Sequence, residues 1–107
     1  MPIELTDLQL SLMRVIWARG EAAVTDVHQG VAAERGLALT TVATILTRLE
    51  KAGFVARRSA GRHYLYRALV SEDEARRSMV SELAERFFHG DVTALVSHLL
   101  DQKKQSN

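Results

Sequence analysis

The residues best suited to chemistry in this sequence are four threonines and two basic side chains within residues 39–53. On a helix their spacing would place them opposite an apolar face of Val42, Ile45, Leu46 and Leu49. Threonine hydroxyls can bond phosphates or base edges, a threonine methyl can contact a thymine methyl, and basic side chains can contact phosphates. The alternative is a solvated helix face that happens to be rich in threonine. We call this set the threonine face: Thr40, Thr41, Thr44, Thr47, Arg48 and Lys51.

The charge distribution favours contact with a polyanion. The 107 residues carry a net charge of +1, but residues 39–70 alone carry +5, whereas residues 1–38 and 71–107 each carry −2. A basic centre between two mildly acidic ends is the pattern expected of a nucleic-acid-binding surface. Chance clustering of arginines is the alternative.

Catalytic and metal-binding groups are scattered along the chain. There is no cysteine, and His28, His63, His89 and His98 fall on different predicted elements without metal-ligand spacing. No G-x-S-x-G turn and no glycine-rich phosphate loop occurs. The sequence therefore predicts no enzymatic activity, no metal and no cofactor.

Membrane and export signals are also missing from the pattern. No apolar run approaches the roughly 20 residues that cross a bilayer, and the start MPIELTDLQL lacks the charged and apolar regions of a signal peptide. We expect a soluble cytoplasmic protein that has no membrane partner.

Three helices are predicted within residues 6–52, and the third carries the threonine face. Thr6 with Gln9 forms a plausible capping box for a helix ending at Arg19. Residues 21–24 read as an extended link, and Thr25 is expected to cap a helix at residues 26–35. The third helix, at residues 40–52, is expected to be capped by Thr40 or by the neighbours of Leu39. This order of helices is that of a helix-turn-helix, with Trp17 as a core or interhelix plug.

A hairpin rich in arginine follows the third helix. Residues 54–59 and 63–69 alternate as strands, and residues 60–62 form the predicted loop. A basic hairpin beside a helix-turn-helix is the wing of a winged helix. His63 is the histidine that we expect near DNA. The arginines that decorate the hairpin are Arg57, Arg58, Arg62 and Arg67.

Two further helices have apolar faces that one small winged helix cannot cover. The first is expected to begin after Ser71 and run to about Phe88, and the second is expected to be capped by Asp91 and to reach about Lys103 before a fraying tail at residues 102–107. A partner chain is the natural cover. The residues predicted to form a dimer interface are Met79, Leu83, Phe87, Phe88, Leu95, Val96, Leu99 and Leu100.

Three segments resemble the penicillinase repressor family, the BlaI/MecI/CopY type of bacterial transcriptional regulators. They are LTDLQLSLMRVIW, LTTVATILTRLEKAGFV and RHYLYRALVSEDE, and the second is the most specific. The resemblance implies a homodimeric repressor that binds a pseudo-palindromic operator in double-stranded DNA, often with TACA/TGTA half-sites. It places the recognition contacts at Thr40, Thr41, Thr44, Thr47 and Arg48 and the wing contacts at Arg58, Arg62 and His63, while Ala43 replaces a long basic side chain of some members.

The chain departs from the family pattern in its signals for induction. In antibiotic-resistance repressors, a sensor protease cuts an Asn-Phe bond that would fall near Glu82–Leu83, and no Asn-Phe pair occurs in this sequence. The cysteine pairs of the copper-sensing branch are absent as well. Members usually continue beyond the last helix found here. A small-molecule effector, a protease with another cleavage motif and simple autoregulation all stay open.

Together these observations predict a mainly α fold with a small β-hairpin (α+β). A winged helix-turn-helix DNA-binding domain is expected at residues 1–70 and a helical dimerisation region at residues 71–107. The predicted function is a sequence-specific, homodimeric transcriptional repressor. The alternative is a winged-helix module that binds another protein, which the clustered positive charge disfavours.

Overall fold

The computed structural model describes residues 3–105, apart from the side chains of residues 33, 34, 104 and 105. The described chain contains five helices and three strands, and their positions confirm the predicted mainly α fold with a small β-hairpin. In chain order they are α1 (Asp7–Arg19), β1 (Glu21–Ala23), α2 (Val24–Arg35), α3 (Leu39–Lys51), β2 (Val55–Ala60), β3 (His63–Ala68), α4 (Glu72–Phe88) and α5 (Val92–Gln105).

Local capping sets the ends of the first helices. The predicted capping box is confirmed: Gln9 N–H donates to Thr6 Oγ1 at 3.1 Å, and Thr6 N–H donates to Gln9 Oε1 at 3.0 Å. The predicted cap at Thr25 is wrong. Helix α2 begins at Val24, two residues before the predicted start, and Ala23 holds the cap position. The Asp26 carboxylate accepts the Ala23 N–H at 2.9 Å, and Thr25 lies inside the first turn.

The start of α3 decides between the two caps expected for it. Leu39 is already helical and Ala38 occupies the cap position without a side-chain hydrogen bond. Thr40 is therefore not the cap, and its side chain is left on the exposed surface of the helix.

The sheet has one strand more than the predicted hairpin. Glu21–Ala23, expected to be an extended link, pairs antiparallel with β3, so the strand order is β1-β3-β2. The hairpin register joins Val55 to Ala68 and Ala60 to His63. The stability of a two-stranded hairpin is marginal on its own. Pairing with β1 adds a third strand and connects the wing to the helices through the backbone.

The chain divides into two compact units, and residues 5–72 form the first. We call it the winged unit. Its core is apolar and fully covered, with the largest buried side chains at Leu12, Met13, Ile16, Val27, Val31, Val42, Leu46, Leu49 and Val55. Trp17, predicted as a core or interhelix plug, is half-buried and its Nε1 donates to the Val70 carbonyl at 2.9 Å.

Helices α1 and α2 cross closely inside the winged unit. A Cβ placed on Gly30 would lie 2.6 Å from Cγ2 of Val15, which is closer than real Cβ contacts. Glycine in a helix interior costs stability relative to alanine. Gly30 is thus explained by the closeness of its neighbour, not by helix propensity.

The second unit comprises residues 3–4 and the described residues from 73 onward. We call it the helical unit. Ile3 N–H donates to Ser78 Oγ at 2.7 Å, and a hydrogen bond with Glu4 raises the pKa of Glu82. Asp91 caps α5 as predicted, accepting the Ala94 N–H at 3.1 Å.

The end of α5 differs from the prediction of a frayed tail from residue 102. The helix continues through Gln105, which is consistent with the good helix propensity of glutamine and lysine. Ser106 and Asn107, the end of that predicted tail, lie outside the described residues.

Candidate nucleic-acid interface

The threonine face lies on α3 as its periodicity predicted. Val42, Ile45, Leu46 and Leu49 are buried against the winged unit, so the opposite side of the helix is turned to solvent. Thr40, Thr44, Thr47 and Lys51 follow one another at i, i+4, i+7 and i+11 along that side. All six members of the threonine face are exposed: Thr40, Thr41, Thr44, Thr47, Arg48 and Lys51.

Two of the threonine hydroxyls are already engaged with their own helix. Thr44 Oγ1 donates to the Thr40 carbonyl, and Thr47 Oγ1 donates to the Ala43 carbonyl, each at 3.0 Å. Such back-bonding to the carbonyl four residues earlier fixes the hydroxyl against the helix. Each side chain therefore offers solvent a γ-methyl group and hydroxyl lone pairs.

The predicted wing residues lie on the hairpin that follows α3. Arg62 occupies the two-residue turn between β2 and β3, and His63 begins β3; both are exposed. Arg58 is also exposed, but its guanidinium is engaged by a carboxylate. Arg58 Nε and Nη2 donate to the two carboxylate oxygens of Glu21 at 2.8 and 2.9 Å.

The pairing of Arg58 with Glu21 crosses the sheet. Glu21 stands opposite Arg67, and Arg58 stands opposite Leu65, so the ion pair spans the central strand β3. The hydrogen bonds from Arg58 hold the pKa of the Glu21 carboxyl below its ordinary value. Glu21 is a residue of this surface that the sequence analysis did not single out, since only the strand register brings it to the wing.

The preceding arginine makes a corresponding pair on the other face of the hairpin. Arg57 Nε lies 3.3 Å from a carboxylate oxygen of Glu50 on α3, and its guanidinium lies 4.3 Å from the centre of the Tyr64 ring. Hydrogen bonding to Tyr66 and the nearby Glu50 carboxylate raise the pKa of Arg57. Arg57 therefore ties the wing to the C-terminal part of α3 and neutralises the only acid of that helix.

The residues predicted to form a dimer interface differ in their exposure. Leu95 is buried, with 4% of its surface exposed, whereas Phe87 and Leu99 are 68% and 52% exposed. Met79 and Phe88 are half-buried, and the Phe88 ring lies 5.8 Å from the ring of His98. The other exposed members of the set are Leu83, Val96 and Leu100.

The described residues offer neither a metal-binding cluster nor a membrane-spanning helix. Across the described chain, no three histidine or acidic side chains are grouped so that they could hold a metal ion. Within the same range, no helix is both long and apolar enough to span a bilayer.

Comparison with known proteins decides the family. The sequence model of the penicillinase repressor family matches residues 5–107. The chain belongs to the penicillinase repressor family. The transcriptional regulator BlaI of Mycobacterium tuberculosis is 34% identical over 100 residues, covering 92% of this chain and 72% of that protein. The methicillin resistance regulatory protein MecI of Mammaliicoccus sciuri is 22% identical over 103 residues, covering 96% and 84%.

Solved structures agree with this membership of the penicillinase repressor family. The solution structure of the DNA-binding domain of the repressor BlaI superimposes with a TM-score of 0.60 at 25% identity, covering 69% of this chain and 93% of that domain. The predicted family and the predicted winged-helix fold are both confirmed, and the chain is a DNA-binding transcriptional repressor.

Proposed function

We propose that this repressor binds its operator by laying the threonine face of α3 in the major groove, with the tip of the wing at the neighbouring backbone. The observation that carries the proposal is the threonine face itself: an exposed, polar, basic helix surface backed by a fully buried core. The resemblance to the DNA-binding domain of BlaI supports it. A helix of this width fits the major groove of B-DNA.

Electrostatics around α3 support this orientation. Glu50 on α3 and Glu21 on β1 are each paired with an arginine of the hairpin, at 3.3 and 2.8 Å. Carboxylates beside a phosphate backbone would weaken binding, so these pairs remove part of an electrostatic cost. Arg48 and Lys51 on α3, Arg62 at the turn and His63 on β3 are the groups that we assign to phosphate or base contacts.

We further propose that two copies of the chain act together on a pseudo-palindromic operator. The exposed apolar residues of α4 and α5, Leu83, Phe87, Val96, Leu99 and Leu100, supply the surface for pairing. A two-fold dimer would place its recognition helices in successive major grooves, about 34 Å apart or a multiple of that distance. Repression would follow from steric exclusion of polymerase in the cytoplasm, and no catalytic step is part of the proposal.

The test is fluorescence anisotropy with the DNA upstream of this protein's own gene and with a random duplex, at several salt concentrations. We expect a clear preference for the upstream fragment and a slope of about −0.9 in log affinity against log salt for each phosphate contacted. Arg48→Ala should weaken binding and reduce that slope by about one phosphate equivalent. Arg77→Ala on α4 is the matched control, because Arg77 is exposed and paired with Asp73 in the helical unit.

The outcomes separate the candidate functions. A flat salt response, or equal effects of Arg48→Ala and Arg77→Ala, would contradict the assignment of α3 to DNA. Absence of binding to any duplex at low salt would favour a winged-helix module that binds protein. Equal, salt-dependent binding to both duplexes would contradict the proposal that the threonine face reads the base sequence of the upstream fragment.

A further inference from the structure

Thr44 and Thr47 each donate their single hydroxyl proton to a hydrogen bond within α3. Thr44 Oγ1 donates to the Thr40 carbonyl and Thr47 Oγ1 donates to the Ala43 carbonyl, both at 3.0 Å. A hydroxyl carries one proton and two acceptor lone pairs. A ligand approaching either side chain therefore meets a γ-methyl group and an oxygen that can accept a hydrogen bond but cannot donate one.

These two residues lie at the centre of the threonine face. Thr40, Thr44, Thr47 and Lys51 lie within a narrow stripe of the helix, and Thr41 and Arg48 flank them on one side. All are exposed. In the proposed orientation, Thr44 and Thr47 meet the bases, while Arg48 and Lys51 extend further towards base edges or phosphates.

The bases differ in the hydrogen-bonding and methyl groups that they present to such side chains in the major groove. Guanine presents two acceptors, its N7 and O6, and thymine presents its O4 acceptor beside a C5-methyl group. An oxygen without a proton to donate gains nothing from these acceptors. What it can meet favourably is the thymine methyl through its own γ-methyl, or the amino group of adenine or cytosine through its lone pairs.

We propose that Thr44 and Thr47 read thymine by contact between methyl groups, and that they do not read guanine. Any hydrogen bond that their hydroxyls make with a base runs from the exocyclic amino group of adenine or cytosine to the threonine oxygen. Discrimination of guanine falls to Arg48. This inference rests on the proposed DNA-binding function and assigns the chemistry of the bases that the same surface selects.

The DNA side of the test removes the methyl group alone. A duplex is selected by the wild-type protein from a random pool and is then synthesised with deoxyuridine in place of thymidine, one position at a time. Deoxyuridine keeps the base-pairing edge and lacks only the C5-methyl. At the thymines that face Thr44 and Thr47, we expect about a fourfold loss of affinity per methyl, the value of one buried methyl-sized group. Uracil elsewhere should have little effect.

The protein side uses paired substitutions at the same residue. Thr44→Ser removes the γ-methyl and keeps the hydroxyl, whereas Thr44→Val keeps the methyl and removes the hydroxyl. We expect the serine variant to bind the thymidine duplex about fourfold more weakly and to lose no further affinity on the deoxyuridine duplex. The valine variant should bind the thymidine duplex about as well as the wild type. Thr93→Ser on the exposed surface of α5 is the control.

The opposite pattern would overturn the inference. If Thr44→Val loses binding while Thr44→Ser retains it, the hydroxyl carries the readout. If every deoxyuridine duplex binds like its thymidine counterpart, methyl readout is wrong while DNA binding stands. If no duplex is bound or selected at all, the proposed function itself fails. Circular dichroism of each variant establishes that the exposed substitutions leave the helices intact.

Discussion

The winged unit and the helical unit handle their apolar residues in opposite ways. In the winged unit, large side chains from all three helices and from the sheet are buried, and the exposed large hydrophobics are Leu39, Tyr64 and Leu69. In the helical unit, Ala75, Ala84 and Leu95 are the buried hydrophobic residues among those described. Its exposed large hydrophobics are Val80, Leu83, Phe87, Val92, Val96, Leu99 and Leu100.

The difference shows that the winged unit covers most of its large apolar side chains within a single chain, whereas the helical unit leaves most of its own exposed. A soluble protein seldom exposes several neighbouring large apolar residues unless another surface covers them. The winged unit buries its apolar side chains in its own core and exposes a polar, basic face. Such a face suits a charged partner whose complex with the protein dissociates when the salt concentration rises. The helical unit exposes apolar area, which suits a lasting association with a second copy. Three substitutions test this comparison.

The largest effect is expected from Leu99→Asp. Leu99 is half exposed in one chain, and in the proposed dimer it would be covered, so a carboxylate at this position would be buried without a partner. That costs several kcal/mol and should convert the dimer to monomers. Light scattering after size-exclusion chromatography measures the change.

The control for Leu99→Asp is Ser97→Asp, which adds the same charge to another exposed face of α5. Leu95→Asp is the less informative substitution, because Leu95 is already buried within its own unit and its loss would disturb the fold of α4 and α5. A dimer that persists after Leu99→Asp would show that the exposed apolar residues have another role.

A medium effect is expected from Gly30→Ala in the winged unit. The new methyl would lie 2.6 Å from Cγ2 of Val15, and a valine cannot rotate away freely. Overpacking costs about 1–3 kcal/mol, and the better helix propensity of alanine returns up to about 1 kcal/mol. We expect a net loss of about 1 kcal/mol in the free energy of unfolding, measured by urea denaturation.

The partner variant for Gly30→Ala is Val15→Ala, used in a double-mutant cycle. If the clash is the cause, Gly30→Ala should cost less in the Val15→Ala background than in the wild type. A higher unfolding free energy for the single Gly30→Ala variant would contradict the close approach of α1 and α2. The apparent dimer affinity should be unchanged in all three variants.

The smallest effect is expected from Glu21→Gln, which releases Arg58 on the wing. The bidentate hydrogen bonds at 2.8 and 2.9 Å now hold that guanidinium on the sheet. Exposed pairs of this kind are worth little to folding, so we expect unchanged stability. A released Arg58 can reach a phosphate, so affinity for DNA should rise a few-fold and the salt slope should steepen by about one phosphate equivalent.

Glu85→Gln on α4 is the control for Glu21→Gln, since it removes the same charge from the helical unit. Equal effects of the two variants on DNA affinity would mean that net charge alone is responsible. In that case the pairing of Arg58 with Glu21 would have no effect of its own on the affinity for DNA.

The sequence predicted those features that depend on neighbours along the chain. The capping box of Thr6 and Gln9, the cap at Asp91 and the buried stripe of α3 are all local patterns, and each is confirmed. The start of α2 was predicted incorrectly because Ala23, whose side chain cannot cap a helix, holds the cap position. The Asp26 carboxylate, three residues later, accepts the Ala23 N–H instead.

Features that depend on distant partners were missed. Strand β1 has only three residues, too few to show an alternating pattern, and its role follows from its pairing with β3. The pair of Glu21 with Arg58 joins residues 37 apart, and no spacing rule connects them. The surface was therefore predictable as a set of exposed basic and threonine residues, whereas the restraint on its arginines was not.

The hydrogen bond from Ile3 to Ser78 has a consequence for the order in which the chain folds. Residues 5–72 form one contiguous unit that can fold as soon as it has left the ribosome, but the unit that contains Ile3 waits for a partner 75 residues later. At a synthesis rate of about 5–20 residues per second, that delay is roughly 4–15 seconds. Ile3 thus reaches its place only after residues 5–72 have been synthesised, and the surface proposed for pairing forms after the winged unit.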